Sequence, residues 1–548
     1  YLVGGYFKSA SIELGNGIVI TNKSKETYQT DGMIIKYNAD GEVEWANEIG
    51  GLTSDYIYSV TETSDGGYIA GGSYGESNID LGNGVRLNGK KYGGMIIKYS
   101  NNGETEWAKC ISGDGGDCIE SIIELDDGGY IAVGDFESRS ISLENGISLT
   151  NKGKRAYNDA MIIKYSIEGD VEWAKGIGGQ EHDFIKLVES SNDGGYIIRG
   201  QFSDNNGITS KSVSSILIKY DSLGNVEWYK TMNADVESIS RTSDGGYIVG
   251  GFSSEDLNLG NGLILSSDKD AFIGIVIKYN SEGNVDWAQK LGRKYGAIIY
   301  SVKECSDGNY IACGSYSGNI DLGTGESLIH NAGIIIKYNI DGTLKWIQRK
   351  GDENIEEIIE TSNGDFIVRE NFGTKNVEIE DGIVINNNDT RTGTGLTTDG
   401  LIIKYTKSEQ SNPTIVQAKG IGGDNSEQIK SVAATSDGGY IVGGYFASES
   451  IDLENEITLT KHTKKYASNC DGMIIKYNSG GIAEWAHAIG GTDDDGITTV
   501  AEALDGGYIV GGYFESSTIN LGNGINLTNK GTTSYEDGLI IKYSESGE

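Results

Sequence analysis

The chain has 548 residues, a formal net charge of -36, 82 glycines and a single proline, Pro413. The acidic balance argues against a phosphate backbone or an anionic membrane as partner, because both reward clustered Lys and Arg. Glycine at about twice its usual share with almost no proline points to an ordered chain with many tight turns, not to a disordered one.

In chain order, YLVGGYF at 1–7 reads as a strand, IIKY ending at Tyr37 as another, and EVEWANEI within GEVEWANEIGG at 41–51 as a third. A complete unit follows over 55–110. DYIYSVTET alternates apolar and polar residues, the mark of a half-buried strand. SDGG is an Asp-Gly hairpin turn, and YIAGGSY is the second strand. Gly71 and Gly72 inside it mark a bulge or a close neighbour. IDLGNGVRL carries its own alternation around a turn. GMIIKYS is the third strand, NNG turns the chain, and ETEWAKC is the fourth. No segment shows a capped 3.6-residue period, so almost no helix is expected.

This unit recurs. All seven tryptophans, Trp45, Trp107, Trp173, Trp228, Trp287, Trp346 and Trp485, stand four residues after a glycine. One slot is vacant: PTIVQAKGIGG at 413–423 places Gln417 where tryptophan belongs and Pro413 where glycine belongs. With it filled, the spacing runs from 55 to 71 residues. The string IKY occurs nine times and DGGY six, with variants DGNY at Asp307 and NGDF at Asn363. Four antiparallel strands per repeat of about 60 residues describe propeller blades with one extra hairpin. A β-solenoid has shorter coils and parallel strands, which Asp-Gly hairpins do not suit.

The expectation is therefore an all-β chain: a single large β-propeller of four-stranded antiparallel blades, one domain over residues 1–548. Second and third strands occur nine times, first and fourth eight times, so seven complete repeats lie between two partial ones. Nine blades are favoured, with eight as the alternative. A chain that opens at Tyr1 inside a repeat is read as a piece of a longer protein. The tryptophans are expected to lie across seams between blades, and the seam at Gln417 to be the weakest. The lysine of IIKY is expected to meet the acid before the tryptophan (Glu44, Glu106, Glu172, Glu227, Asp286, Glu484), whereas Lys345 would face Lys337 with like charge.

The stretch IIKYNADGEVEWANEIGGLTSDYIYSVTETSDGGYIAGGSY resembles the bacterial SBBP-type β-propeller repeat. That pattern has an aliphatic K-Y strand, an Asn/Asp-Gly turn, a W-A-K strand ending in Gly-Gly, a D-x-I-x-S-V strand and a glycine-rich return strand. The resemblance covers essentially the whole chain. It implies the fold and a secreted or cell-surface bacterial setting, and it carries over no catalytic residue. The glycine-to-tryptophan spacing is also similar to the docking motif of quinoprotein propellers, but no cofactor-binding constellation accompanies it.

Candidate chemistry is sparse. His182, His330, His462 and His487 fall at unrelated repeat positions and read as surface or loop residues. No nucleophile elbow, phosphate loop or zinc-protease motif occurs. Cys110 and Cys118 could pair across one loop; Cys305, Cys313 and Cys470 complete the set, and no Cys-x-x-Cys pair suggests zinc. Asp493, Asp494 and Asp495 are candidates for calcium. The Asp before the first strand (Asp55, Asp117, Asp183, Asp235, Asp495) is expected to hold its loop through backbone amides. A first-strand Glu (Glu62, Glu124, Glu304, Glu360, Glu502) forms either a solvated wall or a broken acidic ring for a cation.

Short Asp-Gly turns lie on one face. The blade-to-blade loops and long excursions lie on the other and vary most, as at 201–213 and 386–400. The leading functional expectation is a non-enzymatic binding or scaffold module, outside a bacterial cell, that meets protein or glycan partners through that face without a cofactor. The alternatives are a structural subunit of a surface array and a calcium-assisted glycan-active enzyme.

Overall fold

The computed structural model describes all residues except 25–28, 39–41, 154–156, 203–212, 261, 268–271, 293–295, 318–319, 322–326, 329–331, 351–354, 356, 380–382, 388–396, 407–413, 454, 463–468, 522–523 and 530–535. The chain divides into two compact units, Tyr1–Asp235 and Val236–Glu548. Pro413, His330 and most of the two variable excursions lie outside the described residues.

The fold is all-β, a nine-blade propeller of antiparallel sheets. Among the described residues the only helical turn is the 3-10 turn Glu144–Gly146. In unit 1, blade 1 has three strands, Leu2–Phe7, Asp31–Tyr37 and Val43–Ile49. Blade 2 is Tyr56–Glu62, Tyr68–Tyr74, Gly93–Tyr99 and Thr105–Ile111, in that order across the sheet. Blade 3 is Asp117–Glu124, Tyr130–Phe136, Asp159–Tyr165 and Val171–Ile177. Blade 4 is Phe184–Ser190, Tyr196–Phe202, Val213–Tyr220 and Val226–Met232. Blades 5 to 9 continue the pattern, with first strands starting at Asp235, the last residue of unit 1, and at Ala297, Glu357, Glu427 and Asp495 of unit 2. Blade 9 again has three strands.

Local chemistry sets these strands. The Asp-Gly turn closes because Gly66 takes φ +79°, where a side chain would be strained. The excursion forms its own two-stranded hairpin, Ile79–Asp80 with Arg86–Leu87 in blade 2. Gly71 and Gly72 serve both expected roles. A Cβ on Gly71 would stand 2.7 Å from Ile119 of the next blade, and Gly72 faces a bulge in the first strand between Ile57 and Ser59. The same bulge recurs at Ile119/Ser121, Ile185/Leu187, Ile299/Ser301, Ile429/Ser431 and Ile497/Thr499.

The core is a series of seams. One buried cluster joins Ile69, Ile96 and Ile111 of blade 2 to Ile119, Ile122, Tyr130 and Phe136 of blade 3. Another joins Ile131 and Ile162 of blade 3 to Ile185, Tyr196 and Ile218 of blade 4. A single sheet buries too little apolar surface alone, so each blade depends on its neighbour.

Trp45, Trp107, Trp173, Trp287, Trp346 and Trp485 sit at these seams. The indole of Trp45 lies on Gly103 in the next blade's turn, and its Nε1–H donates to Asn101 O at 3.0 Å. Trp107 lies on Gly169, Trp173 on Gly224, Trp287 on Gly342 and Trp485 on Gly547. The glycine four residues before one tryptophan thus makes room for the preceding blade's tryptophan. At the vacant slot Gln417 lies against Gly481 and donates to its carbonyl at 2.5 Å.

Candidate functional site

Most repeated polar residues are occupied in holding blades. The IIKY lysines Lys98, Lys164, Lys219, Lys278, Lys337, Lys404 and Lys476 are buried. The acid before the tryptophan is one partner, at 3.2 Å for Lys98–Glu106, 2.7 Å for Lys219–Glu227 and 3.1 Å for Lys476–Glu484. The partner missed from sequence is the turn aspartate: Asp65 at 2.9 Å from Lys98, Asp127 at 2.8 Å from Lys164 and Asp437 at 2.8 Å from Lys476. For Asp65, Asp193 and Asp307, burial pushes the pKa up, but the lysine, neighbouring side chains and a turn amide outweigh it and hold each carboxyl down at about 2. Lys345 and Lys337 do not repel unscreened, because Asp307 stands 3.8 Å from one and 2.7 Å from the other.

The recurring first-strand Glu is a strut between blades. Glu124 accepts from the backbone N–H and hydroxyl of Ser64 in the preceding blade's turn, at 2.7 and 2.9 Å. Glu304 does so with Ser243, Glu360 with Ser306 and Glu502 with Ser436. The Asp before the first strand caps its loop: Asp55 accepts from Gly51 and Gly75 N–H at 3.1 and 2.9 Å, and Asp117 from Gly113 and Ser138. Asp183 accepts from Gly179 N–H at 2.8 Å, and Glu427 replaces the Asp in blade 8. Asp235 is a correction. Counted back from the equivalent turn residues Thr63 and Thr242, it matches Tyr56, and Ala234 holds the capping position.

Asp495 belongs to the same caps, with Gly491 N–H and Ser516 as donors. Asp494 accepts from Cys470 N–H at 2.8 Å, and Asp493 from Thr492 Oγ1 at 2.9 Å. Their carboxylates therefore serve separate donors. His462 pairs with Asp471 at 2.9 Å, and His487 stacks on Tyr543. All five cysteines are free thiols, so Cys110 and Cys118 are not joined.

Against this frame three positions vary freely: the first-strand residue that follows the capping Asp, the bulged residue two further on, and the second-strand residue opposite the first. In blade 2 they are Tyr56, Tyr58 and Ser73; in blade 3 Cys118, Glu120 and Asp135; in blade 4 Phe184, Lys186 and Gln201. Within unit 1 they join into one strip on the face of the blade-to-blade loops. Tyr6 meets Tyr56 edge-on at 5.0 Å, and Tyr56 stacks with Tyr58 at 5.9 Å. Tyr58 and Ser73 share a hydrogen bond of 3.2 Å. Lys186 bridges to Glu120 at 2.6 Å across the seam and lies over the Phe184 ring. Phe184 stacks on His182, which meets Tyr157 at 4.6 Å and accepts from Asn158 N–H at 3.2 Å. Asn158 in turn donates to Asp135. Tyr6 is 53% and Tyr58 47% exposed, so this aromatic end is open to solvent.

Within the strip, Cys118 Sγ lies 3.6 Å from both Glu120 Oε1 and Asp135 Oδ1. These three side chains are the group of potential metal donors found among the described residues. Cross-strand pairing sets Cys118 opposite Asp135, and the bulge after Ile119 brings Glu120 to the same side. Burial, then the charges of Asp135 and Glu120, push the Cys118 thiol up. Burial raises the Asp135 carboxyl despite Lys186 nearby. Burial lowers the Lys186 ammonium, but its bond to Glu120 and the nearby acids outweigh that and leave it raised.

No family model matches the chain. It is 22% identical over 569 aligned residues to an uncharacterized WD repeat-containing protein, L264, of Acanthamoeba polyphaga mimivirus. That alignment covers 93% of this chain and 39% of the relative's length. Among solved structures, the Dos1 propeller is 10% identical, with 80% of this chain and 86% of that one covered and a TM-score of 0.37. The C-terminal WD40 domain of Sif2 is 11% identical, with 72% and 93% covered and a TM-score of 0.28. The SBBP-type family is not among these matches; the fold rests on the nine sheets themselves.

Proposed function

We propose that this chain is a non-enzymatic binding module whose partner is a protein, recognised by the strip from Tyr6 to Lys186. One observation carries the reading. Residues repeated from blade to blade are engaged in packing, caps and struts, while the departures from the repeat in unit 1 gather in one partly exposed surface of mixed character. Aromatic rings beside an ion pair are the side chains that protein interfaces favour, and variable positions on a rigid frame are where recognition resides. The propeller fold and the WD-repeat relative agree with a binding role. The relative is viral, so the bacterial surface setting implied by the SBBP resemblance draws no support from it.

The test is a binding screen of the purified chain against immobilised peptides and glycans, repeated with Tyr58→Ala and Lys186→Glu. Peptide ligands lost in both variants, with melting temperatures retained, are expected. Peptide ligands that bind both variants unchanged, or glycans as the only ligands, would overturn the reading.

A further inference from the structure

We propose that Cys118, Glu120 and Asp135 form a site for one borderline-soft divalent metal ion of the zinc class, held between the first two strands of blade 3. Three geometric facts carry this. Zinc bonds of about 2.3 Å to sulfur and 2.0 Å to oxygen in a tetrahedron place sulfur and oxygen roughly 3.5 Å apart. The Cys118 sulfur stands 3.6 Å from an oxygen of each carboxylate, and the three donor atoms all lie within 4.8 Å of one another. The donors sit on rigid backbone: a cross-strand pair and a bulge residue two along. The set also breaks the repeat. The equivalent residues are Tyr56, Tyr58 and Ser73 in blade 2, Phe184, Lys186 and Gln201 in blade 4, and Ile298, Tyr300 and Ser315 in blade 6. None of those trios contains a thiol or a carboxylate.

A cation already occupies the mouth. Lys186 reaches Glu120 at 2.6 Å and Asp135 at 3.8 Å, with half of its side chain in solvent. Metal binding exchanges one cation for another: Lys186 swings outward, Cys118 loses its S–H proton to buffer, and the thiolate, two carboxylates and a water fill the coordination sphere. The thiolate selects against calcium and magnesium, which take oxygen ligands. This site is independent of whether the surrounding strip binds a partner, because the metal is tested on the chain alone.

The experiment titrates Co2+ into the full reduced chain and follows the thiolate-to-metal charge-transfer band, with Zn2+ as competitor. One equivalent is expected, displaced by Zn2+, with release of one proton. Cys118→Ser abolishes the band, Cys470→Ser leaves it intact, and Lys186→Met tightens binding at least several-fold because the competing ammonium is gone. Thermal melting confirms that each variant is folded. The absence of a band in the wild type, a band that persists in folded Cys118→Ser, or weaker binding in Lys186→Met would overturn the assignment.

Discussion

If the turn glycine exists to seat the preceding blade's indole, adding one methyl there is more harmful than at an equally strained but open turn. Gly169 has φ +84°, and a Cβ would meet Trp107 Cδ2 at 2.7 Å. Gly66 has φ +79° with nothing within 4 Å. An alanine in the left-handed region costs about 1–2 kcal/mol, partly offset by reduced freedom of the unfolded chain, so Gly66→Ala should lose about 1 kcal/mol. Gly169→Ala carries the same strain and must also displace the indole, an overpacking of about 1–3 kcal/mol. Its total should reach about 2–4 kcal/mol. Guanidinium unfolding followed by circular dichroism and by tryptophan fluorescence measures both variants, the two probes guarding against a transition that is not all-or-none. Equal losses would refute the seating of Trp107 on Gly169 as the reason for the repeated spacing.

Asp127→Ala leaves the buried Lys164 ammonium without its 2.8 Å partner and should cost roughly 3 kcal/mol, the lower end for breaking a buried pair because Asp127 is itself half exposed. Chemical denaturation checks it, and a loss below about 0.5 kcal/mol would contradict a structural role for the lysine. The pH dependence should be inverted from the usual acid lability. Burial raises Asp31, Asp117, Asp159 and Asp495 from 3.8 to about 6 and Asp55 to about 7. The folded state then binds more protons than the unfolded one between about pH 4 and 7, and stability falls as pH rises through that window. Asp65, Asp193 and Asp307, held at about 2, act oppositely and remove stability below about pH 4. Calorimetric melting temperature should peak near pH 4–5 and decline toward pH 8, with the decline shallower in Asp31→Asn. A maximum at pH 8 would refute the assignment.

Much of the frame was legible because the chain compares itself with itself. Repetition of IIKY, DGGY and the tryptophan strand exposed strands, turns and blade number without any second sequence. The alternation in DYIYSVTET identified a first strand, and the paired glycines Gly71 and Gly72 pointed to a bulge or a close neighbour, of which the structure has both. What stayed hidden needed the third dimension. The Lys98–Asp65 pair spans 33 residues and joins a third strand to an earlier turn, so adjacent-strand pairing found only its second partner, Glu106. The Glu124–Ser64 strut crosses blades, so its recurrence looked like a solvated wall. Asp235 misled because the connection before the first strand of blade 5 is four residues shorter: Trp228 precedes Thr242 by 14 residues, whereas Trp45 precedes Thr63 by 18. The strip escaped notice for the opposite reason: Tyr58, Glu120 and Lys186 share a bulge, yet no residue type repeats there to mark it. Their lack of repetition was itself the available signal.

The central claim is that repeated residues build the frame and departures from the repeat make the binding surface. The direct measurement replaces Tyr58, Glu120 and Lys186 together by threonine, the residue at the equivalent bulge of blade 9, Thr498, and records melting temperature and peptide-screen binding side by side. The account predicts a melting temperature within a few degrees of wild type and binding abolished. An unfolded variant, or one that binds as the wild type does, would contradict it.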